Sequence, residues 1–318
     1  MKIPRFDERH AIFFDQPEPR PLLIDHVQRL SGVDDLENNT PLLATQVGDD
    51  MLVIPTLTMV FHKVAQGTLN GVPYMVTFCA ICHAGSVFSP LVDGQLLHFG
   101  SYGFHHGMAL LSDAETHSRW NHITGNCLHG PQKGAELQQL ENLTHTTVGS
   151  ARSAYPDAYI AFSAFTPEES EIAHRWRVNY LGQSPEWPEE LTSTLIMHDD
   201  RRSRFDLGVG VWTKESARYY PMLDINAEDN VIVDMIDGRN IVVYEDHETG
   251  LPSVFYTSAD RARWSGEALH LNDGTVYLDG VLSHNNQPVR LERPYFQVIR
   301  WYGFSYLFPN CDIYSNGQ

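Results

Sequence analysis

The stretch Asn70-Gly71-Val72-Pro73-Tyr74-Met75-Val76-Thr77 decides the fold. Asn-Gly between apolar runs is typical of a two-residue hairpin turn, and the run that follows it is rich in residues that favour strands. Similar short runs, cut by Gly, Asn and Asp, recur at residues 51–54, 86–88 and 95–99, with another turn at Asp93-Gly94. The sequence therefore predicts a mainly β (α+β) fold with short helices packed on the outside.

This stretch also has a counterpart later in the chain. Residues 70–77 align without a gap on Asp237-Gly238-Arg239-Asn240-Ile241-Val242-Val243-Tyr244, and at the same offset of 167 residues 86–88 fall on Ser253-Val254-Phe255. Chance reuse of strand-forming residues is the alternative. We expect an internal duplication that gives two related β-rich halves. At this offset Cys79 aligns with Asp246, Cys82 with Thr249 and His83 with Gly250, so the second copy lacks the thiols.

Helix signals and breakers divide the chain into four parts. Residues 1–45 are predicted to form an N-terminal arm with one short helix, because Leu23, Val27 and Leu30 have helical spacing. The first half then spans residues 46–181, a linker residues 182–204, and the degenerate second half residues 205–318. A second helix begins at the capping box Thr166-Pro167-Glu168-Glu169. Its apolar face repeats every four residues at Ile172, Trp176 and Tyr180, and Gly182, Pro185 and Pro188 end it.

Chemistry is concentrated just after the opening stretch, at Cys79-Ala80-Ile81-Cys82-His83. Three of the four cysteines lie within 49 residues, and eight of the 16 histidines lie within 63 residues. Two thiolates separated by two residues at a turn can bind one metal ion. No second such pair exists, so an open site is favoured over a closed structural one. The candidate metal ligands are Cys79, Cys82, His83, His105, His106 and Cys127.

Three other interpretations of the two thiols stay open. A redox dithiol would use His83 to lower one thiol pKa, although a strand, not a helix, is predicted to follow. Covalent haem would match the Cys-x-x-Cys-His string but requires maturation outside the cytoplasm. The cysteines can also be buried apolar residues at a strand end.

Residues 70–137 resemble a bacterial family catalogued only as a domain of unknown function, numbered 3179. The resemblance is carried by Phe78-Cys79-Ala80-Ile81-Cys82-His83, Phe88, Asp93-Gly94, Phe99-Gly100, Asp113, Thr116, Ser118, Trp120, Gly125 and Gly130-Pro131-Gln132-Lys133-Gly134. Family members have Pro at Ala80 and Gly at His83. The resemblance implies a fold and the location of a site, and it implies no reaction.

Composition limits the partners. Forty acidic residues against 22 basic ones give a formal charge of −18, which repels nucleic acid and anionic membranes. No apolar run is long enough to span a bilayer. The first ten residues carry no secretory signal and the cysteines form no disulfide framework, so we expect a cytoplasmic protein. Phosphate-loop, dinucleotide and serine-nucleophile motifs are absent from the sequence.

The sequence thus predicts a metal-dependent, redox-active enzyme that acts on a small molecule. Cys79 and Cys82 would be the catalytic residues, on a transition-metal ion (Zn, Fe or Cu). Trp120, with Tyr102 or Phe104, would wall the pocket and contact the cofactor. The alternatives are a non-catalytic metal carrier or metal-stapled binding protein, and a Cys-x-x-Cys thiol–disulfide oxidoreductase. The oligomeric state is left open.

Overall fold

The protein is described by a computed structural model that covers residues 6–182, 187–278, 280–289 and 291–315. Pro185 of the predicted linker, and the ends of the predicted N-terminal arm and second half, lie outside these residues. Short strands dominate the described ranges, which confirms the predicted β-rich fold.

The strands of the first half are β1 (Ala11–Phe13), β2 (Leu22–Ile24), β3 (Gln28–Arg29), β4 (Pro41–Val47), β5 (Asp50–Pro55), β6 (Val64–Leu69), β7 (Val72–Thr77), β8 (Val87–Phe88), β9 (Leu91–Val92), β10 (Gln95–Leu96), β11 (Phe99–His105), β12 (Met108–Asp113), β13 (Arg119–Asn121), β14 (Cys127–His129), β15 (Gln139–Glu141), β16 (Thr144–Thr147) and β17 (Tyr159–Ile160). They form sheets in the orders β1-β11-β12-β13-β14, β15-β8-β7-β6-β2 and β16-β4-β5-β17-β3, beside the hairpin β9-β10.

The strands of the second half are β18 (Leu207–Trp212), β19 (Ala217–Pro221), β20 (Val231–Ile236), β21 (Arg239–Glu245), β22 (Pro252–Thr257), β23 (Ala262–Ser265), β24 (Ala268–Leu271), β25 (Thr275–Leu278), β26 (Val281–His284), β27 (Gln287–Pro288), β28 (Tyr295–Arg300) and β29 (Asp312–Ile313). Their sheet orders are β28-β18-β19-β29, β20-β21-β22 and β23-β24-β25-β26-β27.

The helices are α1 (Thr56–His62), α2 (Val148–Ala154), α3 (Pro167–Leu181), α4 (Glu189–Ser193), α5 (Met222–Ala227) and α6 (Trp301–Leu307), with 3-10 turns at Glu8–His10 and Leu30–Gly32. The capping box predicted for α3 is present. Two helices are not peripheral as expected: every residue of α6 and six of the seven of α1 are buried. Both are apolar on all sides, and such helices lie inside a protein.

The helix predicted from Leu23, Val27 and Leu30 is wrong. Residues 22–24 instead form β2, which pairs in parallel with β6, and residues 28–29 form β3, which pairs with β17. Leu23, expected on the buried face of a helix, is 56% exposed. The strand edges of β6 and β17 offer this segment backbone partners, and that tertiary pairing outweighs a three-residue helical spacing.

One sheet arrangement occurs in both halves. The four-stranded arrangement β16-β4-β5-β17 of the first half recurs as β28-β18-β19-β29, with an antiparallel partner at one end and a parallel one at the other. The register also recurs at the offset of 167, because Val76 pairs with Val87 and Val243 pairs with Val254. Descent of both halves from a duplication stays a prediction.

One hydrophobic core joins the two halves. It contains Cys79, Cys82 and Met108 from the first half together with Trp301 and Tyr302 from the second. A polar contact reinforces it: the Gln297 side-chain amide donates to the Ser86 hydroxyl at 2.6 Å. The Cys-x-x-Cys stretch therefore lies where the halves meet, and the second half contributes to its surroundings.

Candidate metal centre

The Cys-x-x-Cys stretch forms a tight turn at the end of β7. The backbone N–H of Cys79 donates to the carbonyl of Ala84 at 2.8 Å, and the N–H of Ala84 donates back at 3.3 Å. His83 closes the turn with φ of 63°, a left-handed conformation that glycine adopts most easily. The family's Gly at this position thus has a physical reason, and this chain places a histidine in the same conformation.

A third ligand group meets the two thiols. His122 lies between β13 and β14, and its ligand nitrogen and the two Sγ atoms all lie within 4.8 Å of one another. Cys82 Sγ and His122 Nε2 are 3.5 Å apart. All three side chains are fully buried. Among the described residues, this is the one cluster of three or more such side chains with that spacing.

Hydrogen bonds from the neighbouring strands hold His122 in place. The Asn121 side-chain oxygen accepts from the backbone N–H groups of Ile123 and Thr124, both at 2.9 Å. The Thr77 hydroxyl donates to the His122 carbonyl at 2.7 Å, and the Ser86 hydroxyl donates to the Ile123 carbonyl at 2.8 Å. Strand β7 and the segment that leads into β8 therefore position both the cysteine turn and the histidine.

The two thiols have opposite acidities. Burial opposes ionisation of Cys79, but hydrogen bonds from the Cys82 thiol and from the backbone amides of Cys82, Ala109 and Ile81 outweigh it, so its pKa is lowered. Burial and the neighbouring Cys79 raise the pKa of Cys82 well above its ordinary value. Burial lowers the pKa of His122 to about 3. The surroundings thus favour a thiolate at Cys79, a thiol at Cys82 and a neutral imidazole at His122.

Arg300 of the second half forms hydrogen bonds with the cysteine turn. The backbone N–H of Arg300 donates to the Cys82 carbonyl at 3.0 Å, and its Nε donates to the Ile81 carbonyl at 3.1 Å. The rest of the guanidinium donates to the carbonyls of Phe205, Tyr180 and Gly182. All of these acceptors are backbone carbonyls, so the buried Arg300 works as a fixed multi-point donor.

The other predicted metal ligands lie apart from the cluster. His83 Nδ1 is buried without a hydrogen-bond partner, and its ring packs against the ring of His145. His106 is a core residue: its Nδ1 accepts from the Ile196 amide at 2.9 Å and its ring stacks on Tyr306. The His105 ring packs against Phe6. The Cys127 thiol donates to the His129 carbonyl at 3.5 Å and belongs to a different hydrophobic cluster.

The three residues predicted to wall the pocket also separate. Trp120 is fully buried in the same cluster as Cys127, and its indole N–H donates to Asp113 Oδ2 at 2.8 Å. Asp113 also accepts from the backbone amides of Thr116 and Ser118, which gives the Asp-x-x-Thr-x-Ser-x-Trp pattern a structural role. Tyr102 lies under the Arg119 guanidinium. Phe104 lines a cavity beside the cysteine turn.

That cavity has a volume of about 310 Å³ and is bordered by Ala80 and Ile81 of the turn. Its walls are mostly apolar. The remaining lining residues are Ile12, Phe14, Glu18, Val60, Lys63, Phe104, Trp176, Tyr180, Pro188, Glu190 and Leu191. It provides a space next to the cysteine turn large enough for a small molecule.

Comparison of the chain with known proteins identifies a family. The family model described as "Protein of unknown function (DUF3179)" matches residues 23–309, which is most of the chain. The chain belongs to the DUF3179 family. No curated protein and no solved structure matches it. The match extends well beyond residues 70–137, so the second half is part of the family's fold. In the described ranges, no helix has both the length and the apolar character needed to cross a membrane.

Sequence reasoning missed three residues that surround the thiols. His122 lies 40 residues from Cys82, a separation that carries no metal-binding pattern, and its only signal was membership of the histidine-rich region. Arg300 comes from the other half. Lys63 follows α1, and its side chain lines the cavity. A lone cation after an apolar helix gave no indication of this position.

Proposed function

We propose that this DUF3179 protein binds one transition-metal ion through Cys79, Cys82 and His122 and uses it in redox chemistry on a small molecule. The observation that carries the proposal is the convergence of three buried ligand atoms within 4.8 Å. Thiolate and imidazole together suit Zn, Fe or Cu. Of these, Fe or Cu would support the redox chemistry, because Zn²⁺ has no redox chemistry. His122 thus takes the place among the ligands that the sequence assigned to other histidines.

The spacing fits a single ion. Ligands at about 2.3 Å for sulfur and about 2.05 Å for nitrogen, in a tetrahedral arrangement, stand roughly 3.6 Å apart. Cys82 Sγ and His122 Nε2 are separated by 3.5 Å without any ion. Cys79 is already inclined to ionise, and neutral His122 offers a free lone pair. Binding therefore requires the loss of one further proton, from Cys82.

Three protein ligands leave one position for water or substrate, as in catalytic metal sites. Neither remaining cysteine supplies a fourth ligand to the cluster. Cys127 belongs to another core cluster, and Cys311 lies beside the Arg201 guanidinium. The site lies in an apolar core, which strengthens electrostatic interactions there.

Metal analysis of protein purified without added metal tests the proposal. We expect close to one equivalent per chain, with a loss of most of it in Cys79→Ser, Cys82→Ser and His122→Ala. Cys127→Ser and Cys311→Ser are matched controls, because they remove buried thiols outside the cluster. A content below about a fifth of an equivalent in the wild type contradicts metal binding. A bound metal without any reversible electron uptake supports the carrier instead of the enzyme.

A thiol–disulfide oxidoreductase is the second candidate, favoured by the unequal acidities of Cys79 and Cys82. Burial argues against exchange with protein partners, since both cysteines have 0% exposure. The metal-free protein distinguishes the two functions. Rapid reduction of a peptide disulfide, with a loss of two mass units from the protein, supports the dithiol. Inertness toward the peptide together with stoichiometric metal supports the metal centre.

A further inference from the structure

Among the described residues that line the cavity beside the cysteine turn, Lys63 is the one charged residue that is buried. It is 7% exposed, and Glu18 and Glu190, the other charged lining residues, are exposed to solvent. It ends α1 with φ of 59°, a conformation unfavourable for a residue with a side chain. Its carbonyl accepts from the Phe78 amide at 2.8 Å, which ties Lys63 to the residue before Cys79.

The Lys63 ammonium lacks a strong polar partner. Its Nζ donates to the Glu18 carbonyl at a long 3.4 Å and lies 4.4 Å from the centre of the Trp176 ring. Within the part of the chain that the structure describes, no carboxylate forms an ion pair with it. An ammonium has three donors, and the long contact with the Glu18 carbonyl uses one of them. Burial lowers its pKa to about 8, which still leaves it mainly protonated at neutral pH.

The nearby thiolate does not remove the need for a negative charge. Cys79 and Glu18 both favour the charged form of Lys63, but among the described residues neither side chain pairs with its ammonium at hydrogen-bond distance. A buried cation without a partner is costly. An anion entering the cavity would supply the missing charge.

We propose that the cavity binds a small organic acid, with its carboxylate on Lys63 Nζ and its apolar body against Phe104, Trp176 and Leu191. A volume of about 310 Å³ admits a body the size of one aromatic ring with a short chain. The proposal rests on the proposed function only in making this acid the substrate beside Cys79. Binding itself does not require the metal.

Calorimetry with 3-phenylpropanoate and its neutral amide tests the charge requirement. We expect wild-type protein to bind the acid at least about tenfold more tightly than the amide, because the hydrogen bond to the acid is charge-assisted. In Lys63→Met this preference falls below about twofold. Lys133→Met, an exposed lysine, is the matched control and keeps the preference. Ile12→Trp, which narrows the cavity, weakens acid and amide alike.

Equal binding of acid and amide by the wild type, no binding of the acid at 10 mM (roughly the weakest useful affinity), or an unchanged preference in Lys63→Met each overturns the proposal. Circular dichroism and Tm show whether each variant folds, and Ile12→Trp supplies an independent answer if Lys63→Met does not. The Cys79→Ser/Cys82→Ser variant separates this proposal from the metal centre. Acid binding that survives in it upholds the pocket whatever the metal content proves to be.

Discussion

At the scale of single residues, hydrogen bonding decides the acidity of a buried thiol. Cys79 and Cys127 are both buried, yet only Cys79 accepts hydrogen bonds from several backbone amides and from a neighbouring thiol. The Cys127 pKa is raised to about 11, mainly by burial. Two apolar cores therefore hold one thiol that is inclined to ionise and one that is inert.

This difference predicts how stability depends on pH in the metal-free protein. A lowered folded-state pKa stabilises the fold above the ordinary thiol pKa, and this contribution is lost as the pH falls through the lowered value. The unfolding free energy of the wild type relative to Cys79→Ser should therefore rise over roughly pH 5 to 8.5. Urea unfolding with reductant and chelator measures it.

Cys127→Ser is the control for this measurement. The raised pKa of Cys127 in the wild type stabilises the fold below the ordinary thiol pKa, and this contribution disappears only above that pKa. The difference from the wild type should stay flat over the same range. A flat profile for Cys79→Ser as well contradicts a stabilised thiolate.

The left-handed backbone at His83 predicts an unusual order of variants. Glycine normally destabilises relative to alanine by about 0.5–1 kcal/mol. At φ of 63° an alanine carries the left-handed penalty, about 1–2 kcal/mol. His83→Gly should thus be more stable than His83→Ala, by about 1 kcal/mol. Equilibrium urea unfolding compares the two.

Ala80→Gly in the same turn supplies the contrast, since Ala80 is not left-handed. Ala80→Gly should lower the free energy of unfolding by the ordinary amount, about 0.5–1 kcal/mol. If His83→Ala proves the more stable of the His83 pair, the turn does not hold His83 in this conformation in solution.

Residue-level prediction from sequence succeeded where the chemistry is local. Cys79 and Cys82 lie together because a single turn determines their spacing. His122 needed the path of β12, β13 and the Asn121 cap to reach the thiols, and nothing in its neighbours indicates that path. His106 shows the converse case: its place in a Gly-flanked pair suggested ligand binding, and in the structure its ring accepts from the Ile196 amide and stacks on Tyr306.

At the scale of elements, α6 of the second half packs in the same hydrophobic core as the cysteine turn. Its first backbone amides donate to the carbonyls of Asp206 and Arg204, so backbone rather than side chains caps it. Arg300, the residue before α6, extends this fixation to the cysteine turn and to the carboxyl end of α3. A cation there also suits the negative end of α3.

Arg300→Met should destabilise the fold and loosen the turn. It leaves the carbonyls of Ile81, Phe205, Tyr180 and Gly182 without this donor, at a cost on the order of 4 kcal/mol. Amide hydrogen exchange at residues 81–84 should accelerate, and metal content should fall. Arg239→Met is the control: Arg239 is exposed and pairs with Glu292, so its loss should cost less than about 1 kcal/mol. Unchanged exchange at residues 81–84 would contradict the role of Arg300.

Elements were predictable where the signal was local and strong. The hairpins at Asn70-Gly71 and Asp93-Gly94 form with positive φ at all four residues, and the capping box sets the start of α3. The segment around Leu23 was not predictable in this way, because strands distant in sequence determine its conformation. α6 was not located either, since an aromatic run of seven residues is equally consistent with a strand.

At the scale of the whole molecule, the second half contains a turn with the same backbone hydrogen bond as the cysteine turn but with other side chains. The N–H of Asp246 donates to the Leu251 carbonyl at 3.0 Å, as Cys79 does to Ala84, and Gly250 has φ of 66° where His83 has 63°. Every one of these positions is offset by 167. The same backbone turn thus occurs in both halves, and only the first half places thiols on it.

The hydrogen bonds inside the two turns correspond as well. Asp246 Oδ1 accepts from the amides of Glu248 and Thr249 and from the Thr249 hydroxyl. Cys79 receives the amides of Ile81 and Cys82 and the Cys82 thiol at the same offsets. A carboxylate and a hydroxyl therefore occupy the roles of thiolate and thiol. This correspondence supports the predicted duplication and makes the turn transferable.

Asp246→Cys/Thr249→Cys should install a second metal-binding thiol pair in the intact chain. The existing amides would stabilise a thiolate at position 246, and the turn would bring the second thiol beside it. We expect about one additional equivalent of Cd²⁺, seen as thiolate-to-cadmium ultraviolet absorption. It should bind more weakly than at the first pair, because two thiolates lack a counterpart of His122. Asp246→Cys/Glu248→Cys, which places the second thiol on an exposed residue, is the matched control and should bind none in this way. A folded variant with no added cadmium absorption would show that the shared backbone does not align the side chains.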